Sequence, residues 1–146
     1  MKNKDVTIAR RLASQMWGQP DMQKKLAEGI WLFETPRHGG IVVDAAIRPA
    51  ILKVCPVTEV LIRAESKWKR PSEQHFVALE EDCCACIAEW LFTEDVITDS
   101  LYRMYDTFLL FAEWKAKRLK CIRKSLEMWN PDVLTTFPNP NMGIET

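Results

Sequence analysis

The chain changes its hydrophobic pattern twice, and the short stretch between the two changes constrains the fold most. Residues Ile30–Thr35 are rich in aromatic and β-branched side chains, and Pro36–Gly40 then supplies turn formers before the apolar run Ile41–Val43. Side chains of this kind fit a pleated, half-buried surface, and a glycine-containing turn between two such runs is typical of a hairpin. The sequence therefore predicts a β-hairpin here.

Before the hairpin, the pattern is helical. From Asp5 to Trp17 the apolar residues recur at helical spacing, and Gly18 follows where that helix should end. A second, short helix is predicted from Asp21 to Glu28, closed by Gly29.

After the hairpin, the pattern alternates between short elements. A short helix is predicted within Ala45–Val54, and strands are predicted at Val57–Ile62 and at His75–Leu79, with an exposed loop between them at Lys67–Ser72. These strands would extend the hairpin into a small antiparallel sheet.

The second half of the chain is predicted to be helical. One helix is expected from Glu80 to Phe92, and one long helix from about Ser100 to Met128, where apolar residues form a nearly continuous stripe. The predicted fold class is α+β, with a small antiparallel sheet (the hairpin plus one or two strands) packed against several helices including one long C-terminal helix. Residues 1–134 are predicted to form a single domain, and the turn formers in 135–146 predict a loosely ordered C-terminal tail.

Charge and hydropathy exclude several classes of protein. Lys+Arg and Asp+Glu are equal at 20 each, so the formal net charge is +0, and no global field draws the chain to nucleic acid or anionic lipid. We therefore do not expect direct nucleic-acid binding. The chain starts with charged residues rather than a signal peptide, and its apolar runs are shorter than the ~20 residues needed to cross a bilayer. We expect no membrane partner.

The cysteines suggest a reducing compartment. The five of them form an odd set, with Cys83, Cys84 and Cys86 crowded together, which is a poor disulfide framework. A reducing cytoplasm fits this better. Only His38 and His75 are available beside the thiols, so four convergent zinc ligands are difficult to assemble, and we expect no metal and no cofactor.

The first candidate site is the hairpin turn, with Thr35, Pro36, His38, Gly39 and Gly40. In a functional interpretation, the glycines let a ligand approach the backbone while the histidine acts as acid, base or metal ligand. In an architectural interpretation, the glycines satisfy the positive φ of a tight turn and the histidine caps it. We expect the architectural role.

The second candidate site is Glu80-Glu81-Asp82-Cys83. The dipole of a helix starting here would lower the pKa of the thiol, and a nearby histidine would make Cys83 a candidate nucleophile. The adjacent carboxylates oppose a thiolate, so we expect these residues to form a negatively charged first turn that starts a helix beside the hairpin.

The charges are unevenly distributed even though they sum to zero. Residues 80–106 carry eight acidic side chains against Arg103 alone, and residues 115–124 are strongly basic. An acidic surface would complement the basic groove of a nucleic-acid-binding protein. The residues predicted to contact a partner are therefore the acidic ones and one exposed aromatic: Glu80, Glu81, Asp82, Glu94, Asp95, Asp99 and Trp68.

Three blocks carry a resemblance to a known family: Trp31–Gly40 with its TP-x-HGG motif, Glu80–Cys83 with its EEDC motif, and Ser125–Asp132. Together they resemble a domain family of small proteins from phages, plasmids and their bacterial hosts. The family has no established reaction, so the resemblance implies no catalytic residue. It implies that the gene lies on a phage or plasmid. Small single-domain proteins encoded by such elements often inhibit host defence, either as anti-CRISPR or as anti-restriction proteins.

Two functions follow as hypotheses. The first is an anti-defence protein that inhibits a CRISPR or restriction complex, a nucleic-acid-binding assembly of the host, by direct stoichiometric protein binding. The second is a small enzyme that uses His38 with Cys83 or Glu81.

Overall fold

The protein has an α+β fold. The computed structural model describes residues 2–55, 76–82 and 84–144. In these ranges it contains four strands, β1 (Met22–Ala27), β2 (Ile30–Glu34), β3 (Gly39–Asp44) and β4 (Phe76–Glu80), and one 3-10 helix, Pro49–Lys53. Its α-helices are α1 (Lys2–Trp17), α2 (Ala85–Leu91), α3 (Thr93–Val96), α4 (Asp99–Tyr102), α5 (Phe111–Trp129) and α6 (Pro131–Thr136).

The strands form one antiparallel sheet in the order β1-β2-β3-β4. The predicted hairpin is confirmed as β2 and β3, with Glu34 opposite Gly39. The strand predicted at His75–Leu79 is confirmed as β4, which pairs with β3. The sheet is therefore a continuous meander in which the two halves of the sequence meet along β3 and β4.

The short helix predicted from Asp21 to Glu28 is wrong, because this stretch contains strand β1. Its residues alternate between half-buried and exposed positions at the start of the strand, and it pairs with β2 across a two-residue turn. Gly29 adopts a φ of 78° in that turn, a left-handed conformation that favours glycine. Pairing with β2 thus overrides the helical preference of the β1 residues.

Each face of the sheet is covered by helices. Helix α1 packs on one face, where its Leu12 and Trp17 join Trp31 and Phe33 of β2 in one apolar cluster. The opposite face carries a larger cluster, to which α2, α4, α5 and α6 all contribute buried side chains. The result is a three-layer arrangement with the sheet in the middle.

The helical half differs from its prediction in two places. The helix expected from Glu80 begins only at Ala85, because Glu80 ends β4 and residues 81–82 form a turn. The long helix expected over Ser100–Met128 is interrupted, since α4 ends at Tyr102 and α5 begins at Phe111. The Tyr102 hydroxyl donates to the carbonyl of Leu109 and holds the ends of the interruption together. We call residues 103–110 the connecting loop.

The C-terminal segment contacts the domain. Phe137 is buried and its carbonyl accepts a hydrogen bond of 2.8 Å from the indole of Trp90. Asn141 and Gly143 donate backbone hydrogen bonds to the carbonyls of Trp90 and Leu91. Residues 137–144, where composition predicts a loose tail, therefore pack against α2 in this structure.

Several predictions fall on residues outside the described ranges. These are the strand at Val57–Ile62, the loop at Lys67–Ser72 with the candidate contact residue Trp68, and the candidate nucleophile Cys83. Within the described ranges, no helix is both long and apolar enough to span a membrane.

Candidate functional site

The hairpin turn is closed by Thr35 and His38. The amide of Thr35 donates to the carbonyl of His38 at 2.8 Å, and the amide of His38 donates to the hydroxyl oxygen of Thr35 at 3.0 Å. The same hydroxyl lies 3.0 Å from the carbonyl oxygen of Trp17 at the end of α1. The TP-x-HGG motif therefore fixes both the turn and its position against the first helix.

Gly39 and Gly40 are required for space and not for a left-handed backbone. Among the described glycines only Gly18 and Gly29 have a positive φ, so the expectation of positive φ at residues 39 and 40 is wrong. A Cβ on Gly40 would lie 2.1 Å from the carbonyl oxygen of Leu79 and 2.7 Å from the ring of Trp17. Strand β3 is thus pressed between β4 and α1 at this point.

The two sequence motifs meet in space. Gly40 lies opposite Glu80 in the sheet, and the amide of Glu81 donates to the carbonyl of Gly39 at 2.9 Å. The imidazole Nδ1 of His38 lies 3.2 Å from a carboxylate oxygen of Glu80. The two motifs are therefore in direct contact, and this contact assigns neither of them a reaction.

His38, Glu80 and Asp82 are also the residues best placed to hold a metal ion in the described part of the chain. One donor atom from each lies within 4.8 Å of the others. His38 and Asp82 are exposed and Glu80 is half-buried, so water competes for each of these ligands. The expectation that no metal is bound stays a prediction.

A cleft opens on the other side of the motif junction, between the sheet and the helices. It has a volume of about 240 Å³. Its polar lining comes from five side chains: Glu34, Glu81, Glu89, Tyr105 and Arg118. Its apolar lining includes Leu26, Leu32, Ile41, Leu101 and Met104. His38 does not line this cleft and borders a separate depression beside Trp17.

A buried ion pair joins two of the cleft residues. Glu89 on α2 is only 4% exposed, and the Nε and Nη2 atoms of Arg118 on α5 both lie 2.6 Å from its Oε1. The Arg118 guanidinium also stacks over the ring of Tyr105, 5.0 Å from its centroid, and over Trp114 at 5.6 Å. The aromatic rings thus hold the guanidinium while the carboxylate neutralises it.

Perturbed ionisation is concentrated at this cleft. Desolvation, with the charges of Asp82 and Glu34, raises the pKa of Glu81. Burial raises the pKa of Glu89, although Arg118 opposes the rise, and burial also raises the pKa of the Tyr105 hydroxyl. In all three groups burial is the leading cause of the raised pKa, so the cleft disfavours the charged form of each.

The sequence-predicted acidic surface is largely neutralised. Glu94 pairs with Lys115 at 2.9 Å, and Asp95 pairs with Arg48 at 2.6 Å. Asp99 pairs with Arg103 at 2.7 Å, one turn along the chain. Among the predicted contact residues that the structure describes, Glu81 alone reaches the cleft.

Of the five polar residues of the cleft, the sequence singled out only Glu81, and four were missed: Glu34, Glu89, Tyr105 and Arg118. Arg118 was visible only as part of a basic run, and Tyr105 only as part of an apolar stripe. A partner for Glu89 could have been sought among the basic residues of the long C-terminal helix, since a buried glutamate requires a cation or donor to pair with.

The connecting loop exposes apolar side chains next to the cleft. Phe108 is fully exposed at 106% and Leu110 is 71% exposed. Met104 and Tyr105, each 41% exposed, belong to the same loop and line the cleft. The loop and the cleft therefore form one continuous surface, which we call the loop–cleft surface.

A family model matches residues 10–142 of the chain, which is most of its length. The chain belongs to the family described as Domain of unknown function (DUF7007). The match includes both sequence motifs, the loop–cleft surface and most of the C-terminal segment. No curated protein and no solved structure matches the chain significantly.

Proposed function

We propose that the protein acts by binding another protein through its loop–cleft surface. The observation that carries this proposal is the exposure of Phe108 and Leu110, two large apolar side chains in one short loop. An exposed apolar loop beside a polar cleft has the composition of an interface, in which aromatic anchors are surrounded by polar groups.

The size of the expected effect follows from the exposure. Because Phe108 is 106% exposed, nearly all of its side chain becomes available for burial when a partner covers the loop. A central aromatic anchor of this kind typically contributes about 2 kcal/mol or more to binding, which is roughly 30-fold in affinity. Leu110 supplies a second, neighbouring anchor.

For the identity of the partner, the proposal is a bacterial nucleic-acid-binding defence complex in the cytoplasm, inhibited by stoichiometric binding. The support for this class is the resemblance of the two motif blocks to small proteins of phages and plasmids, together with the carboxylates of the loop–cleft surface. Carboxylates presented to a surface that normally holds phosphate speed association and fix orientation.

The test compares two variants that are matched in exposure. Leu110→Asp changes the connecting loop. Met128→Asp changes an apolar residue near the far end of α5, and it serves as the matched control because Leu110 and Met128 are both 71% exposed. Each variant is expressed in bacteria that carry an active CRISPR or restriction system. The survival of an incoming phage or plasmid is measured, together with the amount of partner protein that copurifies with the variant.

We expect Leu110→Asp to lower partner recovery and protection at least tenfold, and Met128→Asp to change neither. Inhibition by the parent should saturate near one copy per target. Equal loss in the two variants, or inhibition at far below one copy per target, would contradict the proposal and favour catalysis.

A further inference from the structure

The cleft carries more negative charge than its own residues neutralise. Three carboxylates and one guanidinium line it, and the guanidinium of Arg118 is already paired with Glu89. Within the described ranges, Glu34 and Glu81 make no side-chain hydrogen bond or ion pair, and both are exposed at the cleft wall. A ligand entering the cleft therefore meets two carboxylates that no cation among the described residues neutralises.

The buried ion pair is made at one oxygen of Glu89. Both nitrogens of Arg118 that contact Glu89 do so at its Oε1, and the Glu89 side chain is only 5% exposed. A further donor to Oε2 would stabilise this buried carboxylate, and the cleft that Glu89 lines gives such a donor access.

The remaining walls suit an aliphatic stem. Leu26, Leu32, Ile41 and Met104 line the same space. The volume of about 240 Å³ is below the range of roughly 300–1,000 Å³ typical of pockets for drug-sized ligands. A single side chain with an apolar stem and a cationic head matches this combination of size and lining.

We propose that the cleft receives an arginine side chain of the partner protein, whose guanidinium donates to Glu34, Glu81 and the Oε2 of Glu89. The planar guanidinium carries five N–H donors pointing in several directions, so one group serves several acceptors, whereas an ammonium is a compact point charge. A metal ion fits less well, because these three carboxylates do not converge within 4.8 Å of one another as His38, Glu80 and Asp82 do.

The inference rests on the proposed function, because the arginine enters from a partner that covers the connecting loop. Met104 and Tyr105 belong both to that loop and to the cleft lining. A partner that buries Phe108 is therefore within reach of the cleft mouth. Arginine is also a residue by which nucleic-acid-binding proteins contact phosphate, so its capture would block such a surface directly.

The test uses ethylguanidinium as the probe. Ethylammonium is a comparison probe with the same charge but a compact head group, and propionate is a comparison probe with the opposite charge. Each is titrated into the protein while backbone amide shifts are followed by NMR. We expect ethylguanidinium to shift the amides of Gly40, Glu81 and Glu89, with a weaker response to ethylammonium and none to propionate.

Variants locate the binding groups. Glu34→Gln combined with Glu81→Gln should weaken ethylguanidinium binding at least tenfold, about 1.4 kcal/mol. Glu127→Gln removes an exposed carboxylate that pairs with Arg123 at 3.3 Å on the far part of α5, and it should leave probe binding unchanged. Both cleft substitutions are at exposed positions, so the fold should persist, and the amide spectrum checks this directly.

Ethylguanidinium binding that survives the double substitution, stronger binding of propionate, or shifts confined to residues outside the cleft would each overturn the inference. Because the probe needs no partner, the two proposals fail separately. Probe binding without any effect of Leu110→Asp on the partner would defeat only the proposed function. Partner binding through the loop without probe binding would defeat only the arginine pocket.

Discussion

The buried pair of Glu89 and Arg118 gives the sharpest stability prediction. Replacing Arg118 with methionine removes the charge but keeps a long side chain that still packs on the rings of Tyr105 and Trp114. Glu89 is then left 4% exposed with no cation, which for a buried pair costs about 3 to 5 kcal/mol. The Arg118 side chain is 26% exposed, so water reaches the pair and we expect the lower figure, about 3 kcal/mol at pH 7.5.

The cost should depend on pH in one direction. Burial already raises the pKa of Glu89 in the folded protein above its unfolded value, and loss of Arg118 removes the charge that opposes this rise. Between the unfolded and folded pKa values the native state binds more protons, so stability falls as pH rises through that window. In acid Glu89 is protonated and carries no buried charge, so the variant keeps its stability there. The destabilisation by Arg118→Met should therefore be small near pH 4.5 and largest near pH 7.5.

The measurement is urea unfolding of the parent and the variant, followed by circular dichroism at both pH values. A second variant, Arg118→Met with Glu89→Gln, removes the buried charge altogether, and most of the lost stability should return without the pH dependence. An equal cost of Arg118→Met at both pH values, or a cost below about 1 kcal/mol at pH 7.5, would mean that Glu89 is not desolvated.

Three further predictions concern other parts of the fold. Gly40→Ala should cost about 3 kcal/mol in urea unfolding, because its Cβ would lie 2.1 Å from the carbonyl oxygen of Leu79 and the strands must separate; an unchanged midpoint would show that β3 and β4 are not pressed together. Phe137→Ala should lower stability by about 3 to 5 kcal/mol, since its side chain is buried at 3% exposure; a neutral result would mean that the C-terminal segment does not pack on the domain. Burial raises the pKa of the Cys86 thiol, so mass-spectrometric mapping after iodoacetamide treatment at pH 7.5 should show Cys86 modified more slowly than the exposed Cys121; equal rates would contradict this.

The sequence was sufficient to predict those secondary-structure elements in which the conformational preference of the residues agrees with their pairing in the fold. The hairpin over Ile30–Val43 is rich in β-branched and aromatic residues, and its two strands are adjacent in the sheet. Because pattern and pairing point to the same structure, the α+β class could be predicted from this stretch and from the helical spacing in α1 and α5.

Strand β1 could not be predicted because local preference and pairing disagree. Its residues Met22–Ala27 are mostly good helix formers, and only the neighbouring β2 makes an extended conformation favourable. The prediction of one continuous helix across the connecting loop was wrong for a related reason. Its apolar residues continue the helical spacing of the flanking segments, but Phe108 is exposed, and the turn formers Asp106 and Thr107 interrupt the helix.

The candidate site was predictable only in part. The two motifs were visible as short blocks, and their contact through Gly39 and Glu81 follows from the pairing of β3 with β4. The cleft depends on Glu89 and Arg118, which lie 29 residues apart, and on a loop that the sequence pattern assigned to a helix. Such pairings arise from packing between elements, which composition and periodicity do not encode.

The central claim is that a partner protein covers the loop–cleft surface, and hydrogen–deuterium exchange of the complex tests it most directly. The account predicts that the partner slows exchange in residues 103–110 and at the end of β2, while the exposed face of α5 over residues 116–124 exchanges as in the free protein. Protection confined to that basic face of α5, with the connecting loop unchanged, would contradict the account and place the contact on the lysine-rich helix instead.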